Sequence, residues 1–376
     1  MERRAFKNHR ASFSIEQEAF LLGQRTAFEI KKGLEIMQAI RVEDAVGTVL
    51  CHDLTRIVPG EQKGPAFKKG QIIKEEDIPE LLNMGKSHIY IWEVKKGQLH
   101  ENEAAERLSR ALAGQGLSFS EPSEGKISLI ADYDGMLTIE ENILEKVNMI
   151  EDMVAATRSN RRPVKKGDIV AGVRVIPLLI EEYKLQQVEQ LTQGYQTISI
   201  KPFKPLKVGV VTTGSEVYYG RIQDKFGPVI RKKMEYYGCQ VFRQIFVPDD
   251  LEQITEAIHI LKAEGAELIL TTGGMSVDPD DLTPSAVRKA GAEIVTYGAP
   301  VLPGAMLMVA YLDGVPVLGL PGCVMYSKTT IFDLLIPTIL TGEKISKAMV
   351  GKLGLGGLCL NCEVCRYPIC TFGTGA

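Results

Sequence analysis

The sequence lacks any long run of apolar residues. No stretch of about 18 consecutive apolar residues occurs among its 376 residues, which excludes a membrane-spanning helix by this criterion. The first ten residues are charged and lack the apolar segment of a secretory signal. We therefore expect a cytoplasmic protein that has no membrane partner.

The chain also lacks an excess of charge of either sign. Lysine and arginine number 44, aspartate and glutamate number 47, and the formal net charge is −3. A chain without a positive field has no general attraction for a nucleic-acid backbone. Hydrophobic residues make up 45% and charged residues 24%, near the averages for globular proteins. We therefore expect a globular protein that does not bind nucleic acid.

Local signals along the chain indicate several domains. We predict an extension, a small β-rich domain, a second α+β domain, a main α/β domain and a cysteine-rich tail, at residues 1–38, 39–97, 98–205, 206–345 and 346–376. Met37 is a candidate for the native start, because residues 31–33 would be encoded by purine-rich codons that resemble a bacterial ribosome-binding site. The alternative is a loosely ordered native extension.

Strand and helix signals alternate from about residue 206 to residue 342. Buried-strand signals occupy residues 207–211, 240–247, 267–271 and 315–319, with helical spacing of apolar residues between several of them. This alternation is typical of βαβ units around a parallel sheet. The sequence therefore predicts an α/β domain with a mostly parallel sheet.

Three of the predicted strands end in polar loops that contain glycine. Ligands of open parallel sheets bind beyond the carboxyl ends of the strands, and glycine lets the backbone approach a ligand closely. Exposed amides and small hydroxyls are donors for an anion, so we predict a phosphate-bearing ligand; plain turns are the alternative. The candidate binding residues are Thr212, Thr213, Gly214, Ser215, Glu216, Thr272, Gly273, Gly274, Met275, Ser276, Pro321 and Gly322.

Two aspartates near these loops are candidate catalytic residues. Asp249 follows a predicted strand, and Asp281 closes the second loop. Carboxylates repel a phosphate unless Mg²⁺ bridges the two, so we expect a bound Mg²⁺. The alternative is helix capping, since Asp249 and Glu252 have capping-box spacing and Asp281 precedes a predicted helix.

Four of the seven cysteines lie close together near the C-terminus. In a cytosolic chain such a cluster indicates metal binding rather than disulfides. Four thiolates can coordinate a tetrahedral zinc ion. The same spacing of cysteines is found at the start of many iron–sulfur motifs, so the sequence does not distinguish zinc from an iron–sulfur cluster. A flexible reduced tail is the remaining alternative. The predicted metal ligands are Cys359, Cys362, Cys365 and Cys370.

Several stretches between residues 207 and 340 resemble the molybdopterin-binding domain of molybdopterin adenylyltransferases and molybdotransferases. Residues 271–274 followed by 281–284 are similar to the Thr-Gly-Gly, Asp and Thr-Pro pattern of the adenylyltransferases. Residues 320–322 resemble the Leu-Pro-Gly loop of the molybdotransferases, and residues 222–225 and 247–249 match further segments. The whole chain looks most similar to a molybdotransferase-like branch.

This resemblance implies a three-layer α/β fold, Mg²⁺, and molybdopterin or its AMP ester as the ligand. It assigns the two important aspartates of the family to Asp249 and Asp281. It implies a role in molybdenum cofactor biosynthesis, by transfer of AMP or molybdate to or from the pterin phosphate, with a nucleotide and a second copy of the chain as further partners. Two alternatives stay open: a non-catalytic module that binds or senses the cofactor, and a nucleotide pyrophosphatase. Cys323 departs from the family pattern, which usually has asparagine there.

Overall fold

The computed structural model describes most of the chain after residue 37. The described residues are 38–56, 64–91, 97–276, 278–279 and 281–375. The predictions of an N-terminal extension and of Met37 as the native start lie outside them. No helix in this part of the chain is long and apolar enough to cross a membrane.

The chain forms two compact units. The first contains the described residues up to 104, together with residues 122–125 and 175–186. The second contains residues 105–121 and 126–174 and continues from residue 187 to the end of the described chain. The boundaries of these units differ from the predicted domain boundaries, which stay predictions.

The regular elements are named in chain order. The strands are β1 (Gln38–Arg41), β2 (Leu54–Arg56), β3 (Gly64–Phe67), β4 (His88–Ile91), β5 (Gln98–His100), β6 (Leu117–Phe119), β7 (Lys126–Ala131), β8 (Gly135–Ile139), β9 (Met153–Thr157), β10 (Pro163–Val164), β11 (Ile169–Val175), β12 (Leu179–Glu181), β13 (Ile198–Pro202), β14 (Lys207–Thr213), β15 (Gln240–Val247), β16 (Leu268–Thr272), β17 (Glu293–Tyr297), β18 (Met308–Leu312) and β19 (Val315–Leu320). The α-helices are α1 (Ile78–Asn83), α2 (Glu101–Leu112), α3 (Glu141–Asn148), α4 (Glu182–Thr192), α5 (Ser215–Tyr218), α6 (Phe226–Glu235), α7 (Leu251–Ala263), α8 (Thr283–Lys289), α9 (Ile331–Leu340) and α10 (Lys347–Lys352). Short 3₁₀ turns occupy Val42–Asp44, Glu75–Asp77 and Gly322–Met325.

The first unit is built from small antiparallel pairs. Strand β1 pairs with β4, β2 with β3, and β5 with β12. Residues 47–50 form no strand, and Val49 forms only an isolated bridge with Ile72. Gly47 has a φ of +84°, which turns the chain instead of extending it.

The second unit contains the predicted sheet. Its six strands lie in the order β15-β14-β16-β19-β18-β17. The first four are parallel, whereas β18 and β17 run antiparallel to their neighbours. The prediction of an α/β fold is confirmed.

Successive residues of the central strands pack on opposite faces of this sheet, as the two-residue period of a strand requires. Leu268 and Leu270 join the cluster that contains α6 and α9, whereas Ile269 joins the cluster that contains α7 and α8. The central strands are therefore buried on both faces, which explains their continuous apolar sequence.

The register of the sheet aligns the ends of three strands. Thr212 of β14 lies opposite Thr272 of β16, and Thr272 lies opposite Leu320 of β19. Because these strands are parallel neighbours, the loops that follow them leave the same edge of the sheet.

Candidate functional site

A cavity of about 890 Å³ opens at this edge of the sheet. Ten of the twelve predicted binding residues line it, together with Asp281; Gly214 and Ser215 do not. The predicted residues that line the cavity are Thr212, Thr213, Glu216, Thr272, Gly273, Gly274, Met275, Ser276, Pro321 and Gly322.

Further lining residues are outside the twelve predicted binding residues. The sequence could have pointed to residues 222–225 as ligand contacts, because they belong to a segment that carries the family resemblance. Nothing in the sequence pointed to residues 305–306 and 325–326 as ligand contacts. The fold brings them to the cavity from the segment after β17 and from the 3₁₀ turn after β19. The additional lining residues are Val217, Ile222, Gln223, Asp224, Lys225, Phe226, Ala305, Met306, Leu320, Cys323, Met325 and Tyr326.

The threonine hydroxyls at the base of the cavity hydrogen-bond within the protein. Thr213 Oγ1 donates to the Thr272 carbonyl oxygen at 3.2 Å, and Thr272 Oγ1 donates to Thr212 Oγ1, also at 3.2 Å. All three threonines are buried. The prediction that the Thr213 hydroxyl donates to the ligand is therefore not supported by this geometry, because its proton already has an acceptor.

Asp224 connects the base of the cavity to helix α6. Its Oδ1 accepts from the amide of Phe226 at 2.8 Å, and its Oδ2 accepts from Gln244 Nε2 at 2.7 Å. The same Gln244 Nε2 lies 2.9 Å from Thr212 Oγ1. These bonds order the start of α6 beside β14 and make Asp224 a structural carboxylate.

Two loop glycines are required by the protein rather than by a ligand. Gly273 and Gly274 have φ values of +86° and +58°. A Cβ on Gly273 would clash with the Thr213 carbonyl oxygen, and one on Gly274 would lie 2.7 Å from Thr283 Oγ1. The close approach that these glycines permit is between two segments of the same chain.

Gly322 differs from those two glycines. Its φ is not positive, and an added Cβ would have no neighbour within 4 Å. Since Gly322 lines the cavity, a side chain there would extend into space that a ligand can use.

Backbone amides around the cavity are available to an anion. In the part of the chain that the structure describes, no acceptor pairs with the amides of Gly274, Met275 or Ser276. The same holds for the amides of Gly322 and Cys323. Residues with unpaired amide donors thus line one cavity from two loops, and clusters of such donors can bind phosphate oxygens.

Asp249 positions a loop and does not line the cavity. Its Oδ2 accepts from the Ser215 amide at 2.8 Å, and its own amide donates to Ser215 Oγ at 3.4 Å. Capping of α7 is carried out by Asp250, whose Oδ1 accepts from the Gln253 amide at 2.9 Å. The capping box predicted for Asp249 is therefore wrong.

Asp281 does line the cavity. Its Oδ2 accepts from the Asp278 amide at 2.9 Å and so closes the loop, and the N-cap of α8 is Leu282 without a side-chain cap. Capping by Asp281 is therefore wrong. Burial and the charge of Asp281 raise the pKa of Tyr297, whose hydroxyl donates to the Met275 carbonyl oxygen at 3.0 Å.

The charged side chains of the cavity are mostly acidic. Glu216, Asp224 and Asp281 line it, against the single lysine Lys225. Among the described residues, Lys225 has no carboxylate partner and is exposed. Across the described chain, no three His, Cys, Asp or Glu side chains are gathered so that they could hold a metal ion. The described side chains alone therefore do not form a metal-binding site here.

Four sulfur-bearing side chains line the cavity. Met275, Met306, Cys323 and Met325 all line the cavity. Burial raises the pKa of the Cys323 thiol, so it is a neutral, polarisable contact rather than a thiolate.

The four tail cysteines line a second cavity, of about 480 Å³, without forming a metal centre. All four are free, and Cys365 Sγ lies 3.2 Å from Thr329 Oγ1. Within the described ranges they are not gathered around one point as metal ligands must be. The predicted zinc or iron–sulfur site at Cys359, Cys362, Cys365 and Cys370 is therefore not supported, because lining one cavity does not place three of the thiols close enough to share a metal ion.

Two segments of the chain match family models. Residues 209–341 match a model described as a probable molybdopterin binding domain. Residues 39–93 match a domain of unknown function, DUF8806. The first match covers the sheet and all three loops of the 890 Å³ cavity.

Curated relatives match part of the chain. The molybdopterin molybdenumtransferase of Haemophilus influenzae is 27% identical over 192 residues, which cover 48% of this chain and 45% of that protein. The molybdopterin molybdenumtransferase of Staphylococcus aureus strain COL is 32% identical over 140 residues, covering 35% of this chain and 32% of that protein. The chain therefore spans less than half the length of these relatives.

Solved structures match the chain only in part. The molybdopterin biosynthesis enzyme MoaB of Thermus thermophilus covers 37% of this chain and 98% of its own, with 22% identity and a TM-score of 0.30.

Proposed function

We propose, from the match of residues 209–341 to the probable molybdopterin-binding domain family, that this chain binds molybdopterin or its AMP ester in the 890 Å³ cavity. The observation that carries the proposal is the convergence of three loops, aligned by the sheet register, around one cavity. A cavity of this size suits a small organic cofactor.

The phosphate of the ligand is proposed to bind at the backbone rather than at the threonines. The amides of Gly274 to Ser276 and of Gly322 and Cys323 supply donors that have no described acceptor. Lys225 supplies the positive charge at the rim. The sulfur-bearing side chains that line the cavity supply soft contacts for the rest of the ligand.

Magnesium fits this site as a partner of the ligand phosphate. The cavity is lined mainly by acidic side chains, and Mg²⁺ in phosphate sites is usually held by one or two carboxylates, the phosphate and water. Asp281 is the carboxylate that we propose for this role, because Asp224 is occupied by three donors. Asp249 is a positioning residue that holds Ser215.

The proposed role is in molybdenum cofactor biosynthesis. The curated relatives are named molybdopterin molybdenumtransferases, which favours a step in which molybdate enters the pterin and AMP leaves its ester. The pyrophosphatase alternative is not favoured by these relatives. Measurement of AMP release, described below, distinguishes a transferase from a module that binds the cofactor without turnover.

Gly322 allows the proposed site to be tested without disturbing the fold. We expect Gly322→Val to weaken binding of molybdopterin at least tenfold, because Gly322 lines the cavity and an added Cβ has no protein atom within 4 Å. Gly351→Val is the matched control, since Gly351 also has open space around an added Cβ but lies in α10. Calorimetric titration gives the affinities, and the unfolding midpoints verify folding. Equal affinity in both variants would refute the proposed site.

Turnover is measured on the same proteins. Release of AMP from the adenylylated pterin in the presence of molybdate and Mg²⁺ identifies a transferase, and Asp281→Asn should slow it with little change in unfolding midpoint. Tight binding without AMP release selects the non-catalytic module.

A further inference from the structure

A cavity of about 400 Å³ in the second unit shares no lining residue with the 890 Å³ cavity. Its walls come from the start of α3, the segment before β10, the middle of α9, the end of α10 and the chain after the tail cysteines. It is therefore a separate concavity, and nothing in the proposed function uses it.

Arg162 is the unusual residue of this cavity. It lines the wall and is only 4% exposed. No carboxylate in the described ranges pairs with it, although the neighbouring Arg161 lies 2.6 Å from a carboxylate oxygen of Glu343. The other strongly buried cation, Lys184, has Glu181 at 3.6 Å. Arg162 thus departs from the rule that buried charges are paired.

The protein satisfies only part of the hydrogen-bonding capacity of this guanidinium. Arg162 Nη2 donates to the Phe372 carbonyl oxygen, and the guanidinium carbon lies 5.4 Å from the centre of the Tyr367 ring. Its Nε is buried and has no partner among the described atoms. A carbonyl and an aromatic ring leave the positive charge without a counter-charge, which is costly in a buried position.

We infer that this cavity binds a small organic oxyanion whose carboxylate or phosphate pairs with Arg162. A guanidinium offers a planar fork of donors that fits two oxygens of either group. Lys352 at the rim is exposed, has no described ion pair, and adds a second positive charge. Two carboxylates, Glu140 and Glu141, are also on this lining, and Glu141 accepts from Asn160 at 2.7 Å.

Inorganic phosphate and acetate are the probes for this site, used with the full chain. We expect saturable binding by calorimetry and a rise in the unfolding midpoint of the wild-type protein. Tighter binding of phosphate identifies a phosphate ester as the class of ligand, and tighter binding of acetate identifies a carboxylate. Absence of binding of both probes would overturn the inference.

Arg162→Met distinguishes an anion site from a purely structural arginine. In buffer without the probes, we expect this variant to unfold at the same or a higher temperature than the wild type, because an uncompensated charge has been replaced by an apolar side chain. We also expect at least tenfold weaker binding of the probe. Arg110→Met, which removes an exposed arginine, is the control and keeps the affinity.

Two further variants complete the test. Lys352→Gln should weaken binding of the probe about threefold without changing the fold, since Lys352 is exposed. The loss of affinity caused by Arg162→Met should be the same in a Gly322→Val background, which excludes the larger cavity as the source of that loss. Failure of Arg162→Met to fold, or an equal effect of phosphate on the wild type and Arg162→Met, would overturn the inference.

Discussion

At the scale of single residues, polar groups chosen as ligand contacts turned out to hold the loops together. The Thr213 hydroxyl bonds to the Thr272 carbonyl oxygen, and Asp249 bonds to the amide of Ser215. Small polar residues at strand ends could be predicted from the sequence. Which of them face the cavity could not, because that depends on acceptors 34 to 59 positions away along the chain.

Gly273→Ala tests the structural role of the loop glycines. We expect a loss of about 2–4 kcal/mol in the free energy of unfolding, since alanine must adopt a positive φ and its Cβ meets the Thr213 carbonyl oxygen. Gly322→Ala, with open space around its Cβ, should lose less than about 0.5 kcal/mol. Urea unfolding at neutral pH measures both. Equal losses would contradict this account of the loop.

At the scale of elements, helix α9 shows how a buried helix is started. Its residues are mainly apolar, and its N-cap Thr330 forms a capping box with Asp333. Asp333 Oδ2 accepts from the Thr330 amide at 2.8 Å, while Oδ1 pairs with Lys233 of α6 at 2.6 Å. One carboxylate therefore both starts α9 and joins it to its neighbour on the same face of the sheet.

Removing this carboxylate should destabilise the second unit. We expect Asp333→Ala to lose about 3 kcal/mol of unfolding free energy, because the cap is lost and Lys233 is left largely buried without its partner. Asp333→Asn keeps an acceptor for the cap and should lose less. Urea unfolding measures both variants, and the reverse order would show that capping contributes nothing.

At the scale of the whole molecule, the second unit contains more of the chain than the domain that matches the family model, residues 209–341. Glu343, just after α9, accepts from Arg161 at 2.6 Å and from Lys201 at 2.7 Å, so the sheet domain is tied to the β-rich residues that precede it. Burial acts to raise the pKa of Glu343, but hydrogen bonds from Arg161 and Lys201 lower it overall.

This lowered pKa predicts an acid dependence of stability. The ion pairs of Glu343 stabilise the fold above the ordinary glutamate pKa of 4.5, and this stability is lost as the pH falls through the lower pKa of the folded state. We expect Glu343→Gln to cost about 1 kcal/mol at pH 7 and less at pH 3. Urea unfolding at the two pH values tests this, and a loss that does not change with pH would contradict it.

The sequence by itself determined the local elements of the sheet domain and the edge where its ligand should bind. Residues 240–247 form the predicted strand, and helix α7 ends before Gly265, whose φ is +85°. Such features depend on apolar periodicity and on backbone freedom, which neighbouring residues specify.

Only the tertiary structure decided which residues line the cavity. It brought residues 305–306 and 325–326 to the cavity, paired Asp249 with Ser215, and did not arrange the tail cysteines of the described chain as a metal site. It also buried Arg162 without a carboxylate. These outcomes depend on pairings between residues far apart in the chain, and hydrogen bonds and charges of that kind leave no periodic trace in the sequence.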